Sequence, residues 1–222
     1  MNRKCPSCRL LGYLGIWALL VLAPPLAAYK ARSWTLRSPD SYPARLASEG
    51  VTIAAEALFR DDMAASVFDK NDIVTRGIMP LAIVIFNDND FPITVIGGTI
   101  ELICEEDHLR SLDPAQVVRR LFEKGGKGTW IPQPLPRMPG SDRPNREAME
   151  DFVGKLLGEK TVPPHQKAGG FLYLHLPEPR DTAKYLARSR VYIPEVYRQD
   201  SGQKLIFFEF DLKPAIEAAA TK

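Results

Sequence analysis

The longest apolar feature is residues 10–29, LLGYLGIWALLVLAPPLAAY, which run without a charge. At about 1.5 Å per residue, a helix of this length matches a bilayer hydrocarbon core of about 30 Å. Arg3, Lys4 and Arg9 stand just before it, which is the pattern of an N-terminal membrane-targeting segment. No cut site places small residues at both −3 and −1. A cut after Ala28 leaves Leu26 at −3, a cut after Ala27 leaves Pro25 there, and a cut after Ala23 puts Pro24 at +1. The segment therefore reads as an uncleaved signal anchor, with a cleaved signal peptide and a secreted body as the alternative. Residues 1–9 form a cytoplasmic n-region, and the body is expected on the extracytoplasmic side, as a single-pass inner-membrane protein. Lys30, Arg32 and Arg37 on the far side weaken that charge asymmetry.

Behind the anchor the pattern changes repeatedly. Residues 30–50 are polar with scattered Pro, Ser and Arg and read as a juxtamembrane linker. Val51 to Leu58 alternates as a first strand. Residues 59–72 read as loop and turn with short extended pieces. Ile78 to Phe86 (IMPLAIVIF) is a continuous run of branched and aromatic residues, followed by the turn cluster Asn87-Asp88-Asn89-Asp90. Phe91 to Cys104 (FPITVIGGTIELIC) is extended again, with Gly97-Gly98 as a turn or bulge. Such near-continuous strands belong at the centre of a sheet or sandwich.

The period then becomes helical. Asp113-Pro114 opens a helix with Val117, Val118, Leu121 and Phe122 as its stripe, and Gly125-Gly126 ends it. Asp142 caps a second helix with Met149, Phe152, Val153, Leu156 and Leu157 at helical spacing. Gly170 to Leu176 alternates as a strand, residues 179–188 form a charged connection, and Arg190–Tyr197 with Lys204–Leu212 flank Gln199-Asp200-Ser201-Gly202 as a hairpin. The expected fold is α+β: a mainly antiparallel, immunoglobulin-like β-sandwich over residues 51–222 with a two-helix insertion at 113–158, preceded by the N-terminal transmembrane or signal helix.

Charge sharpens this picture. The formal net charge is +2, but Arg3, Lys4 and Arg9 are the only charges in residues 1–28, and without them 26 basic residues face 27 acidic ones. A near-neutral body has no source for the electrostatic term that dominates nucleic-acid affinity, so no nucleic-acid partner is expected. Cys104 is the one cysteine behind the anchor, so an exported body forms no internal disulfide and relies on its core. Cys5 and Cys8 make half of a zinc site or a redox pair without the remaining ligands or the surrounding βαβ unit, and read as reactive thiols on a short tail.

Candidate chemistry is sparse. Glu105-Glu106-Asp107-His108 is the acidic cluster that includes an imidazole. Glu105, Asp107 and His108 could assemble a hydrolase site, but charged clusters at strand ends more often face water. His175 shares a strand face with Phe171 and Tyr173 and is expected to be partly buried. Gly125–Thr129 (GGKGT) fails as a phosphate loop, because Lys127 is followed by Gly128 and a helix precedes it. Asn87–Asp90 lacks the spaced bidentate acid of a calcium loop. Cys104 reads as a small buried hydrophobe. No cofactor is expected. In the Pro-rich stretch 124–144, Trp130 stands with Lys127 and Arg137; an exposed Trp beside cations suits an envelope protein, a glycan or an anionic surface, while a buried one would plug the end of the sandwich.

Residues 79–102, with the strand–turn–strand PLAIVIFNDNDFPITVIGGTIEL from Pro80, resemble the Asn/Pro-rich turn of late-embryogenesis-abundant-like (water-stress and hypersensitive-response) immunoglobulin-type sandwich domains. Asp88 and Asp90 stand where that family's turn has prolines. The resemblance implies a sandwich and no enzymatic activity; it covers about two dozen residues and carries no function over. The expected role is therefore a membrane-anchored, non-catalytic module with a binding or assembly function, the alternative being the envelope hydrolase.

Overall fold

A computed structural model describes residues 29–122, 143–176 and 181–221. Along the chain these form β1 (Ala44–Ser48), β2 (Val51–Ala57), α1 (Asp61–Ala65), β3 (Ile78–Asn87), β4 (Ile93–Ile96), β5 (Glu101–Cys104), β6 (Asp107–Leu109), α2 (Pro114–Phe122), α3 (Arg143–Lys155), β7 (Glu159–Val162), β8 (Gln166–His175), α4 (Thr182–Leu186), β9 (Arg190–Ile193), β10 (Val196–Arg198), β11 (Phe208–Asp211) and α5 (Lys213–Ala220).

The continuous run at Ile78–Phe86 is apolar on both faces because both faces are covered. All ten residues of β3 are buried. The strand lies inside an antiparallel sheet of order β1-β2-β3-β8, paired with β8 over its full length from Ile78 opposite His175 to Asn87 opposite Gln166. Met79, Leu81, Ile83 and Ile85 point into the main core, with Val95, Leu102, Val191 and Phe208. Ile78 and Ala82 point the other way, into a second core with Phe68, Val117, Leu121, Phe152 and Phe171. Val84 and Phe86 close that face against Tyr42, with Trp34 and Leu36 packed on them.

The layer beyond the main core is split into the sheets β10-β4-β7 and β11-β9-β5-β6. Two interruptions make the split. A 3₁₀ turn at Gly97–Thr99 separates β4 from β5, and Pro194-Glu195 separates β9 from β10. Glycine is required at the first break: a Cβ on Gly97 would lie 1.7 Å from the Leu157 carbonyl oxygen, and the Gly97 amide donates to Gly158 at 2.8 Å. The molecule is thus a mostly antiparallel α+β sandwich whose main sheet carries helices on its outer face.

The helical insertion supplies that covering, and α3 takes a different roll from the one its spacing suggests. Val153 is 53% exposed, whereas Phe152 and Ala148 are fully buried. Residues 87–90 are not a hairpin turn. Strands β3 and β4 belong to different sheets, and Asn87 locks the passage between them. Its buried amide nitrogen donates to the carbonyls of Phe91 (2.8 Å), Val162 and Pro163 (3.1 Å each), and its oxygen accepts from the Asn89 amide at 3.1 Å. The 199–202 turn does close a short hairpin, with Arg198 donating to Gln203 at 2.8 Å. Its outer strands then diverge, β10 to β4 and β11 to β9. Short elements that the periodicity left as loop are α1, β6, β7, α4 and α5.

The expected linker is the main correction. Residues 30–50 include β1, paired residue for residue with β2 from Ala44 opposite Ala55 to Ser48 opposite Val51. The stretch before it lies along the sheet, with the Trp34 ring 4.5 Å from that of Phe171. Gly169 allows this approach, since a Cβ there would meet Trp34 at 3.0 Å and the Ile83 carbonyl at 2.8 Å. Among the described residues no helix is long and apolar enough to cross a membrane. Residues 10–28 of the expected anchor lie outside them.

Candidate functional site

The most developed polar arrangement lies where the body begins. Asp151 sits on α3 four residues before Lys155, so the two share a helix face. The Lys155 ammonium is 2.5 and 2.7 Å from the Asp151 carboxylate oxygens, donates to the Val67 carbonyl at 3.0 Å, and lies 4.9 Å from the centre of the Phe68 ring. Side-chain exposure is 12% for Lys155 and 6% for Asp151. From the far end of the chain the Tyr29 hydroxyl donates to Asp151 at 2.6 Å. Burial, reinforced by that carboxylate, pushes the Tyr29 phenol well above its ordinary range. Tyr173, whose hydroxyl donates to the Phe152 carbonyl at 2.8 Å, is raised mainly by burial as well.

The next residues are fixed too. The Lys30 amide donates to Asp69 at 2.8 Å, and Arg32 donates both to Asp69 at 3.1 Å and to the Ala65 carbonyl. The Lys30 amide is the leading cause holding the Asp69 carboxyl below the usual carboxylate range, against its partial burial and with help from Arg32. Tyr29, Asp151, Lys155 and Asp69 form a clamp that binds the chain behind the apolar segment to α3 and to the turn after α1. Both carboxylate oxygens of Asp151 hold donors, Oδ1 from Lys155 and Oδ2 from Lys155 and Tyr29, so the carboxylate is engaged in fixing structure.

Over the clamp lies an open trough of about 670 Å³. Arg32, Trp34, Glu147, Glu150 and Gly154 are among the residues that line it. The lining thus combines an aromatic ring with charges of both signs. A second cleft, of about 180 Å³ between β2 and α5, has Ala55, Ala57, Ala215, Ala218 and Ala219 in its lining beside Tyr42, Met63 and two arginines. Its arginines are engaged already, Arg37 with Glu56 at 2.7 Å and Arg60 with the Ala219 carbonyl at 3.0 Å.

The residues singled out for hydrolysis do not converge. Glu105 pairs with Arg188 at 3.0 Å, Asp107 accepts from the Tyr185 hydroxyl at 3.0 Å, and His108 bonds Glu101 at 2.7 Å. Asp107 and His108 are neighbours on β6 and point to opposite faces. His108 and Arg110 together hold the Glu101 carboxyl low. Among the described residues no group of three or more His, Cys, Asp or Glu could hold a metal. His175 is exposed, its ring bonded to the Gly77 carbonyl at 2.9 Å, because the strand ends there instead of continuing under a covering layer. Cys104 is buried and contacts the Tyr185 carbonyl at 3.4 Å. Trp130, Lys127 and Arg137 lie outside the described residues.

The clamp had a partial sequence signal. Asp151 and Lys155 at i,i+4 around the buried Phe152 mark a polar pair at the border of an apolar stripe. Nothing local connects Tyr29 to them across 122 positions.

No protein-family model matches the sequence, and none of the curated proteins matches it. Among solved structures the chain is similar to the yjhA protein from Bacillus subtilis (8% identity, 69% of this chain and 78% of that one, TM-score 0.35). It is also similar to the ycdA protein from Bacillus subtilis strain 168 (11%, 80% and 41%, 0.38) and to a functionally unknown protein from Listeria monocytogenes EGD-e (13%, 82% and 98%, 0.35).

Proposed function

We propose that this protein is a membrane-anchored, non-catalytic β-sandwich module of a bacterial envelope, held by residues 10–29 with its body outside the inner membrane, and that it serves binding or assembly with an envelope protein or glycan. The seating of Tyr29 carries the reading. The last residue of the apolar segment is 7% exposed and bonded to a buried carboxylate, so the fold begins at the segment's own end. A cut after Ala28 would put a charged amino group on this buried residue, which favours retention of the segment. The trough beside Trp34 supplies a surface for a peptide or glycan, and the dispersal of Glu105, Asp107 and His108 favours a role without catalysis. The finer immunoglobulin-like assignment, and the likeness of residues 79–102 to the late-embryogenesis-abundant-like domains, belong to the same proposal. The sandwich part of that reading is supported by a β3–β4 passage that crosses between sheets.

The test is topological. With Cys5 and Cys8 replaced by Ser, a cysteine at Ser201 in the exposed turn after β10 is probed with a membrane-impermeant maleimide in cells whose outer membrane alone is permeabilised. Labelling at that stage, on a chain whose mass still includes residues 10–28, is the expected result. Labelling only after the inner membrane is opened would reject an exported body.

A further inference from the structure

We infer that the body rides directly on the bilayer, with the face around Tyr29, Lys30, Ser66, Asp69 and Lys70 as its contact surface; this rests on the anchored reading above. A free linker over residues 30–50 would let the body stand up to about 70 Å from the membrane. The structure contains no such linker. Tyr29 is clamped to α3, Lys30 and Arg32 to Asp69, and β1 begins at Ala44. The uncharged run that is long enough to span the bilayer ends on Tyr29 itself, so no free residue stands between that run and the clamp. A segment that leaves the bilayer there brings its first folded residue to the headgroups.

The position of Tyr29 selects the face. Its ring meets Phe122 edge-on at 6.2 Å, and the Lys70 ammonium lies 5.4 Å from the same Phe122 ring. Lys30, Arg32, Ser66 and Asp69 line one shallow hollow beside it. The charges nearly cancel: Arg32 pairs with Asp69 and Lys70 with Asp72 at 2.8 Å, which leaves Lys30 as a surplus of one, worth about 1 kcal/mol toward anionic lipid. Contact therefore follows from the missing tether and not from that small attraction, so it is present on neutral and acidic bilayers alike. The helical layer lies on the membrane side of the main sheet, and the split layer with the Ser201 turn is directed away from it.

The experiment uses the full chain in proteoliposomes, with Cys5 and Cys8 replaced by Ser. An environment-sensitive fluorophore is placed on S66C or, separately, on S201C, and the lipid carries a headgroup nitroxide quencher. Co-flotation with the vesicles comes first; its absence would sink the anchored reading itself. Given flotation, the expected result is loss of fluorescence at 66 and none at 201, in phosphatidylcholine and in phosphatidylglycerol vesicles alike. Equal quenching at the two sites, or none at either, would overturn the inference while leaving the anchor intact. An insertion of about twelve Gly/Ser residues between Ala28 and Tyr29, with an r.m.s. span of about 20 Å, is expected to restore fluorescence at 66 without loss of flotation. Quenching that survives the insertion would overturn it too, since contact would then come from the face's own affinity for lipid.

Discussion

Replacing Asp151 by Asn removes one charge from the clamp and almost no volume. Lys155 keeps its ammonium at 12% side-chain exposure, and its other close partners are the Val67 carbonyl and the face of Phe68. Removing one partner of a buried pair costs about 3–5 kcal/mol, because the remaining charge stays desolvated. Asn still accepts from Tyr29, so the low end, about 3 kcal/mol, applies. Lys155→Met strands the carboxylate instead, with Tyr29 as its remaining donor, and costs a similar amount. The double variant restores neutrality and is expected to recover about 2 kcal/mol relative to the sum of the singles. In urea denaturation of the full chain in detergent, followed by far-ultraviolet circular dichroism, a loss of about 3 kcal/mol with a slope of about 2 kcal/mol/M moves the midpoint down by about 1.5 M. Trypsin cleavage after Lys30 reports the local event, and at about 1.4 kcal/mol per decade it accelerates by about a hundredfold in Asp151→Asn. Strictly additive single variants, or an unchanged cleavage rate at Lys30, would refute the argument that the pair holds the exit segment.

Three further outcomes test the rest of the framework. Asn87→Ala leaves the carbonyls of Phe91, Val162 and Pro163 without their shared donor and is expected to cost about 3 kcal/mol in the same denaturation assay. Gly97→Ala must displace the Leu157 backbone, which a Cβ would approach to 1.7 Å; it costs more than the roughly 1 kcal/mol of an average substitution and is read as reduced soluble yield or a lowered melting temperature. Burial favours the neutral forms of Tyr29 and Tyr173, so their contribution is complete below the unfolded value of about 10 and is lost as pH rises beyond it. The urea midpoint therefore falls above about pH 10, and replacing both by Phe flattens that fall.

The strongest strands were legible because two-sided burial writes itself into composition. Ile78–Phe86 has no polar position, and the structure explains this with a core on each side. The helix stripe Val117, Val118, Leu121 was equally plain, since a single face carries it. Pairing was not legible. Asn87–Asp90 has the composition of a hairpin turn, and the same Asx residues serve a passage between layers just as well. What distinguishes the two is where the Asn87 amide finds its acceptors, and two of those, Val162 and Pro163, lie about 75 positions away. Short elements such as α1, α4 and β6 fall below the length at which periodicity speaks, and tertiary contacts decide them.

Residues 30–50 show why polarity alone misreads a chain. Their side chains are polar, so they resemble a tether, yet a tether is defined by unpaired backbone. Here the backbone is engaged: Lys30 donates to Asp69, Arg37 to the Tyr42 hydroxyl at 3.1 Å, and Ala44–Ser48 to β2. Alternation confined to one strand edge, with Ala44 buried and the next three residues exposed, is too brief to register as a strand. The consequence reaches function, because the length of free chain behind an anchor sets how far a module can search from its membrane. A domain whose exit residue is locked to a buried carboxylate has no such freedom. On the anchored reading proposed above, a partner of the Trp34 trough would be met close to the bilayer, since the Tyr29, Asp151 and Lys155 of the clamp line that same trough.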